Sequence, residues 1–182
     1  MRLFVALSPP DEIRDRLSMM ASGLPSARWV KPENYHITLR FIGEVDNLVA
    51  RDVDDALSGV HMPEFEVSLA GIGQFGEGKK LRSVWTGVEG GEPLIRLQTK
   101  VENAVARAGL QPEGRKFKPH VTLARFKDSP GPKFGEYLHS HGLFRSEPFM
   151  VREFVLYSSF LAREGAIYRP EAIYELDRAE VF

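Results

Sequence analysis

Apolar positions along the chain follow two rhythms. Residues 2–7 form a short apolar run stopped by Pro9 and Pro10, which reads as a buried strand. Strand-like runs recur over 28–31, 35–42, 65–69, 81–88, 117–126, 149–161 and 167–176. Elsewhere the period lengthens to that of a helix. Ile13, Leu17 and Met20 share a face behind Asp11 as N-cap, and Leu48, Val49, Val53, Ala56 and Leu57 do so over 46–57. Leu94, Leu97, Val101, Val105 and Ala108 mark a helix over 94–108 ended by Gly109, and 134–141 reads as a short one. Strands often succeed one another without an intervening helix, which favours an α+β fold with antiparallel sheets over a regular βαβ winding. No linker or low-complexity tract interrupts 1–182, so a single domain is expected.

Composition narrows the classes. The 182 residues carry 24 basic and 25 acidic side chains and no cysteine. A disulfide scaffold, a thiolate zinc site and a cysteine nucleophile are thereby excluded. The near-neutral balance argues against a general nucleic-acid coat, which needs a basic excess. No apolar run approaches the ~20 residues that span a bilayer, and the N-terminal run is too short for a signal-peptide core. The expectation is a cytoplasmic protein with no membrane contact.

One pattern occurs twice. Residues 36–41 read His-Ile-Thr-Leu-Arg-Phe, and 120–126 read His-Val-Thr-Leu-Ala-Arg-Phe. In a strand, His36 and Thr38 point to one face and Ile37 and Leu39 to the other, and His120 and Thr122 likewise oppose Val121 and Leu123. Each strand thus offers an apolar face to a core and an imidazole and hydroxyl to the opposite side. A single His-x-Thr is ordinarily just a polar face. Two copies in matching contexts would bring two imidazoles and two hydroxyls to one cleft across a pseudo-two-fold. Imidazoles titrating near pH ~6.5 suit acid–base chemistry, and hydroxyls can donate to phosphate oxygens. Such a site fits hydrolysis of a strained phosphodiester with no metal and no cofactor, at a rate bell-shaped around neutrality. The residues alone leave open which histidine is acid and which is base.

These motifs resemble those of the two-histidine (2H) phosphoesterases. Within them the chain is similar to the RNA 2′,3′-cyclic phosphodiesterases, also called LigT-like or 2′-5′ RNA ligase proteins. The likeness spans the opening Met-Arg-Leu-Phe-Val-Ala-Leu, residues 29–36 before the first motif, 41–45 after it, 117–125 around the second, and 156–159 and 165–168 near the end. The resemblance implies a bilobal α+β fold of two antiparallel-sheet lobes with flanking helices and the site between them. It implies opening of RNA 2′,3′-cyclic phosphate ends to 2′-phosphates, with ligase activity suggested by the family's name. His36 would be the general acid, His120 the general base, and Thr38, Thr122 and Arg125 the phosphate holders. The expected partner is such an RNA end or a small cyclic nucleotide, bound by a monomer needing no protein partner. Rival readings are the same site acting on a cyclic phosphate of ADP-ribose or a 2′-5′ linked oligonucleotide, and a nucleotide-phosphate binder without turnover.

Several residues need placing. Strict alternation from His120 puts Arg125 on the apolar face, so a bulge near Ala124 is expected to turn it back to the site. The same alternation puts Arg40 on the His36 face, either reaching an anion or solvated at the cleft edge. Arg115, Lys116, Lys118, Arg125 and Lys127 form a basic stretch without an acid that could steer a phosphate-bearing strand. Tyr168 is expected in the cleft, able to stack a terminal base. Phe4 and Trp29 are read as core, and His61, His139 and His141 as surface. Gly71, Gly73 and Gly76 fit a dinucleotide fingerprint, and 73–79 fit most of a P-loop. Strand-like residues come next where both motifs need a helix, so a mobile hairpin loop is expected there.

Overall fold

The computed structural model describes residues 1–178. Its strands are β1 (Arg2–Leu7), β2 (Arg28–Trp29), β3 (Ile37–Glu44), β4 (Phe65–Phe75), β5 (Ser83–Glu89), β6 (His120–Arg125), β7 (Phe149–Val151), β8 (Glu153–Ala162) and β9 (Gly165–Glu175). Its helices are α1 (Asp11–Ser18), α2 (Asn47–Leu57), α3 (Gly91–Arg107) and α4 (Phe134–His141). The strands form two sheets, ordered β3-β1-β8-β9 and β2-β6-β5-β4-β7. The pairings within both are antiparallel, giving the expected bilobal α+β architecture.

The chain halves are interlocked. In the first half β1 and β3 pair antiparallel around α1, and in the second β5 and β6 do the same around α3. After α2 the chain crosses to the second sheet as β4, beside β5; after α4 and β7 it crosses back as β8, beside β1. Neither half completes its own sheet. The expected strand over 149–161 is therefore two strands broken at Arg152, since β7 edges one sheet while β8 lies inside the other.

Burial tracks the alternation. Leu3, Val5 and Leu7 of β1, Ile37 and Leu39 of β3, and Val121 and Leu123 of β6 join one continuous buried cluster that includes residues of all four helices. Each such aliphatic side chain contributes ~1.5–3 kcal/mol by leaving water, enough to fix the phase of both motif strands. His36, Thr38, His120 and Thr122 keep to the other face and stay partly exposed.

Both motif strands are bulged at the same place. Val5 pairs with Arg40 and Ala6 with Thr38, so Leu39 is the extra residue; Val84 pairs with Ala124 and Trp85 with Thr122, so Leu123 is extra. A bulge puts two successive residues on one side and shifts the alternation of the residues beyond it. Leu39 with Arg40, and Leu123 with Ala124, are accordingly buried, while Phe41 and Arg125 return to the histidine face as exposed residues. The bulge expected for Arg125 is present, one residue earlier than Ala124. Arg40 is the correction: the equivalent bulge turns it inward. It is 8% exposed, and its Nε donates to Glu102 Oε2 at 2.6 Å. Its other guanidinium nitrogens donate to the Phe41 and Gln111 carbonyls, so Arg40 is neither a cleft-edge charge nor a free anion ligand.

Two local expectations also change. Asp11 begins α1 rather than capping it; Pro10 holds the cap position without a side-chain bond, whereas Asp46 does cap α2 through Val49 N at 2.9 Å. The glycine-rich segment is not a loop up to Phe75, because β4 continues through Gly73 paired with β5. Gly73 lies under the Trp85 indole, where a Cβ would come within 2.2 Å of the ring.

Candidate active site

Strands β3 and β6 lie beside one another where the two sheets meet. A cavity of about 440 Å³ opens there, with Thr38 and Phe41 on one side and Phe75, Lys118 and His120 on the other. The two motifs thus contribute to one cleft.

Each histidine is held by its own approach segment. His36 comes after a 3-10 turn (Pro32–Asn34), and its Nδ1 lies 2.7 Å from the Asn34 carbonyl. His120 opens β6, and its Nδ1 lies 2.6 Å from the Lys118 carbonyl. A carbonyl only accepts, so Nδ1 is the N–H donor in both rings. That fixes the tautomer and leaves Nε2 for a ligand in each case. Arg14 braces the first turn, with Nε donating to the Pro9 carbonyl at 2.9 Å and a second nitrogen donating to the Pro32 carbonyl at 2.5 Å. Asn34 also donates its amide to the Ala166 carbonyl at 2.8 Å, tying the turn to β9 near Tyr168.

Aromatic rings pack against both imidazoles. Phe4 sits 5.0 Å from the His36 ring, and Tyr168 meets it edge-on at 5.3 Å. Phe75 and Trp85 lie 5.0 and 5.5 Å from the His120 ring. Burial pushes His36 down to about 4, opposed by the bond to Asn34 and reinforced by Arg125, His120 and Arg14. His120 is also lowered, first by burial, then against the Lys118 carbonyl bond, by Arg125 and Lys118. Arg125 is thus near enough to both imidazoles to oppose their protonation. Both shifts favour the neutral ring, and a bound anion would raise the proton affinity of each.

Tyr168 packs against Phe4 as well as His36. Phe4 is buried, as expected of a core residue, but on the cleft side under His36. Its phase, opposite to Leu3 and Val5, is the signal for that placement. Lys118, of the expected basic stretch, lines the cavity. Sequence reasoning misses Phe41 and Phe75 in its lining and Trp85 behind His120, since the bulge hides the signal for Phe41 and a strand continuing through glycines hides it for Phe75 and Trp85. Trp29 packs instead against Tyr137 at 5.9 Å. His61 and His139 are exposed, and His141 is partly buried against Tyr137 at 4.5 Å rather than fully at the surface. Among the described residues no group of three or more His, Cys, Asp or Glu could hold a metal, and no helix is long and apolar enough to cross a membrane.

A family model described as LigT like Phosphoesterase matches residues 7–85 and 87–168, one stretch around each motif. The chain is 38% identical over 168 residues to a protein of Aeropyrum pernix named RNA 2′,3′-cyclic phosphodiesterase, covering 91% of this chain and 94% of that one. It is 33% identical over 178 residues to a protein of the same name from Archaeoglobus fulgidus, covering 96% and 100%. Among solved structures it is similar to E. coli LigT complexed with 3′-AMP, with a TM-score of 0.80 and 28% identity over 96% of this chain and 97% of that one.

Proposed function

The chain belongs to the LigT-like phosphoesterases, and on that premise we propose that it hydrolyses RNA 2′,3′-cyclic phosphate ends to 2′-phosphates by two-histidine acid–base catalysis without a metal. The observation carrying this reading is the mirrored pair of Nδ1–carbonyl bonds, which leaves Nε2 of each ring unbonded on two histidines near enough for His120 to lower His36. His120 Nε2 takes a proton from water as the water oxygen bonds to phosphorus. The bond from phosphorus to the ribose 3′ oxygen breaks in line, and His36 Nε2–H protonates the departing oxygen. The product is a 2′-phosphomonoester with a free 3′ hydroxyl, and the proton left on His120 returns through solvent to His36. Thr38 and Thr122 donate hydrogen bonds to the non-bridging oxygens, Arg125 balances their charge, and Tyr168 faces the terminal nucleoside.

The proton on His36 comes with the substrate. Burial and the cationic neighbours hold that ring neutral, and the phosphodiester anion offsets both. Incubating the protein with an RNA ending in a 2′,3′-cyclic phosphate, in excess chelator, and identifying the product tests the reading. A 2′-phosphate is expected. No turnover overturns the function, turnover lost to chelator overturns metal independence, and a 3′-phosphate overturns the geometry of attack.

A further inference from the structure

The cavity beside His120 carries more positive charge than the reaction needs. Arg82, Arg115, Lys116 and Lys118 all line it, together with the rings of Phe41, Phe75 and Phe117. Phe41 is 60% exposed, a large apolar ring left open at the cleft. A cyclic mononucleotide brings one negative charge, which the histidines, threonines and Arg125 already receive. Its nucleoside is uncharged and gives the remaining cations no partner. Aromatic faces interleaved with cations are the chemistry that binds single-stranded nucleic acid, rings against bases and cations against backbone phosphates. At about 440 Å³ the cavity is within the ~300–1,000 Å³ range of pockets that take small organic groups.

The segment bearing Arg115, Lys116 and Lys118 is tied to the rest of the fold. Arg40, turned inward by the β3 bulge, donates to the Gln111 carbonyl and to Glu102 of α3. Glu102 accepts from the Glu113 amide at 3.0 Å, and Glu113 in turn accepts from the Arg115 amide at 3.2 Å. Glu113, an acid on the cavity rim, is thus occupied with the loop's own backbone. The segment 111–118 is hung on the first motif strand while it leads into the second.

We propose that this cavity is a subsite for the nucleotide preceding the cyclic-phosphate terminus, with its base against Phe41 and its flanking phosphates on Arg115 and Lys116, so that the protein prefers oligonucleotide ends over cyclic mononucleotides. The proposal rests on the cyclic-phosphate hydrolysis proposed for the same cleft and names the part of the substrate which that function leaves open.

The test compares the wild type with the double variant Arg115→Ala/Lys116→Ala, both exposed loop positions. Substrates are a cyclic mononucleotide and a hexaribonucleotide ending in 2′,3′-cyclic phosphate. Anisotropy of a 5′-fluorescein hexaribonucleotide ending in 2′-phosphate gives binding independently of turnover. The double variant is expected to raise KM ~10-fold for the hexamer alone, at unchanged kcat, and to weaken hexamer binding. Its salt dependence should become shallower by ~0.7 per lost phosphate contact. Equal losses on both substrates, or undiminished hexamer binding, overturn the subsite. If neither substrate turns over while the variant still loses hexamer binding and salt slope, the subsite stands and the catalytic reading falls.

Discussion

The two motif strands share one backbone design and differ in what surrounds it. Both hold their histidine through Nδ1 on the carbonyl two residues earlier, and both bulge at the leucine after the threonine. Past the bulge, the residue returned to the cleft is Phe41 on β3 and Arg125 on β6. Opposite the threonine, β1 offers Ala6 and β5 offers Trp85. On the next strand the sizes reverse, Val155 facing Ala6 and Gly73 facing Trp85. A duplicated frame thus carries two unequal sites: an aromatic residue past one bulge, a guanidinium past the other. The histidines are equivalent in tautomer and both are lowered by burial and by Arg125, His36 also by Arg14 and His120 also by Lys118.

The largest effect expected is loss of either imidazole. His36→Ala and His120→Ala should each lower kcat ~10²–10⁴-fold with the fold retained by circular dichroism. A variant retaining wild-type turnover would reduce that half of the comparison to architecture. Next comes the guanidinium: Arg125→Ala should cost ~10²–10³-fold in kcat/KM by removing a charge partner of the phosphate. Adding Phe41→Arg at the equivalent position should not rescue it. Rescue would show that the cleft reads charge without regard to side, and that the two strands are interchangeable in this respect.

Much of this is legible in the sequence because periodicity records burial. The phase of Leu3, Val5, Ile37, Leu39, Val121 and Leu123 separates core from cleft, and the repeated His-x-Thr identifies the cleft face. Features that depend on pairing between distant strands do not show. A bulge arises from the register of β3 on β1, so simple alternation puts Arg40 on the wrong face even though the equivalent bulge can be anticipated near Arg125. The division at Arg152 arises from two sheets sharing one run of chain. Gly73 reads as a flexible loop residue because its reason, the Trp85 ring on the neighbouring strand, is not local.

Burial of the two imidazoles, with the cations beside them, makes a pH prediction smaller in scale. Productive chemistry needs one imidazole protonated and one neutral. Both rings are lowered, His36 to about 4, so kcat/KM, which reports the free enzyme, should peak on the acid side of ~6.5 rather than at neutrality. The profile for kcat should peak higher, since bound phosphodiester raises both proton affinities. Arg125→Ala removes one cause of the lowering and should move the kcat/KM maximum upward. A wild-type maximum at pH 7 or above would mean the cleft does not hold its imidazoles neutral. Stability has the same sign. The unfolded chain takes up a proton at His36 near pH ~6.5 and the folded one near 4, so stability is full above that window and declines as pH falls through it. Urea midpoints should show the decline in wild type and a shallower one in His36→Ala.

The smallest effect tests the reversed sizes. Gly73→Ala places a methyl where the Trp85 ring lies, and the indole, buried between Phe75 and His120, must shift. Overpacking of this kind should cost ~1–3 kcal/mol in urea unfolding and lower turnover by moving the ring on which His120 rests. In the other sheet, Val155→Ala opens space beside Ala6 instead, while His36 keeps its packing on Phe4 and Tyr168. It should therefore destabilise with little change in kcat. If Gly73→Ala is as stable and active as wild type, the indole has room to slide and the glycine is not what seats it. If Val155→Ala is the variant that loses turnover, His36 depends on the packing beneath Ala6, and the support of the two histidines is less distinct than their surroundings.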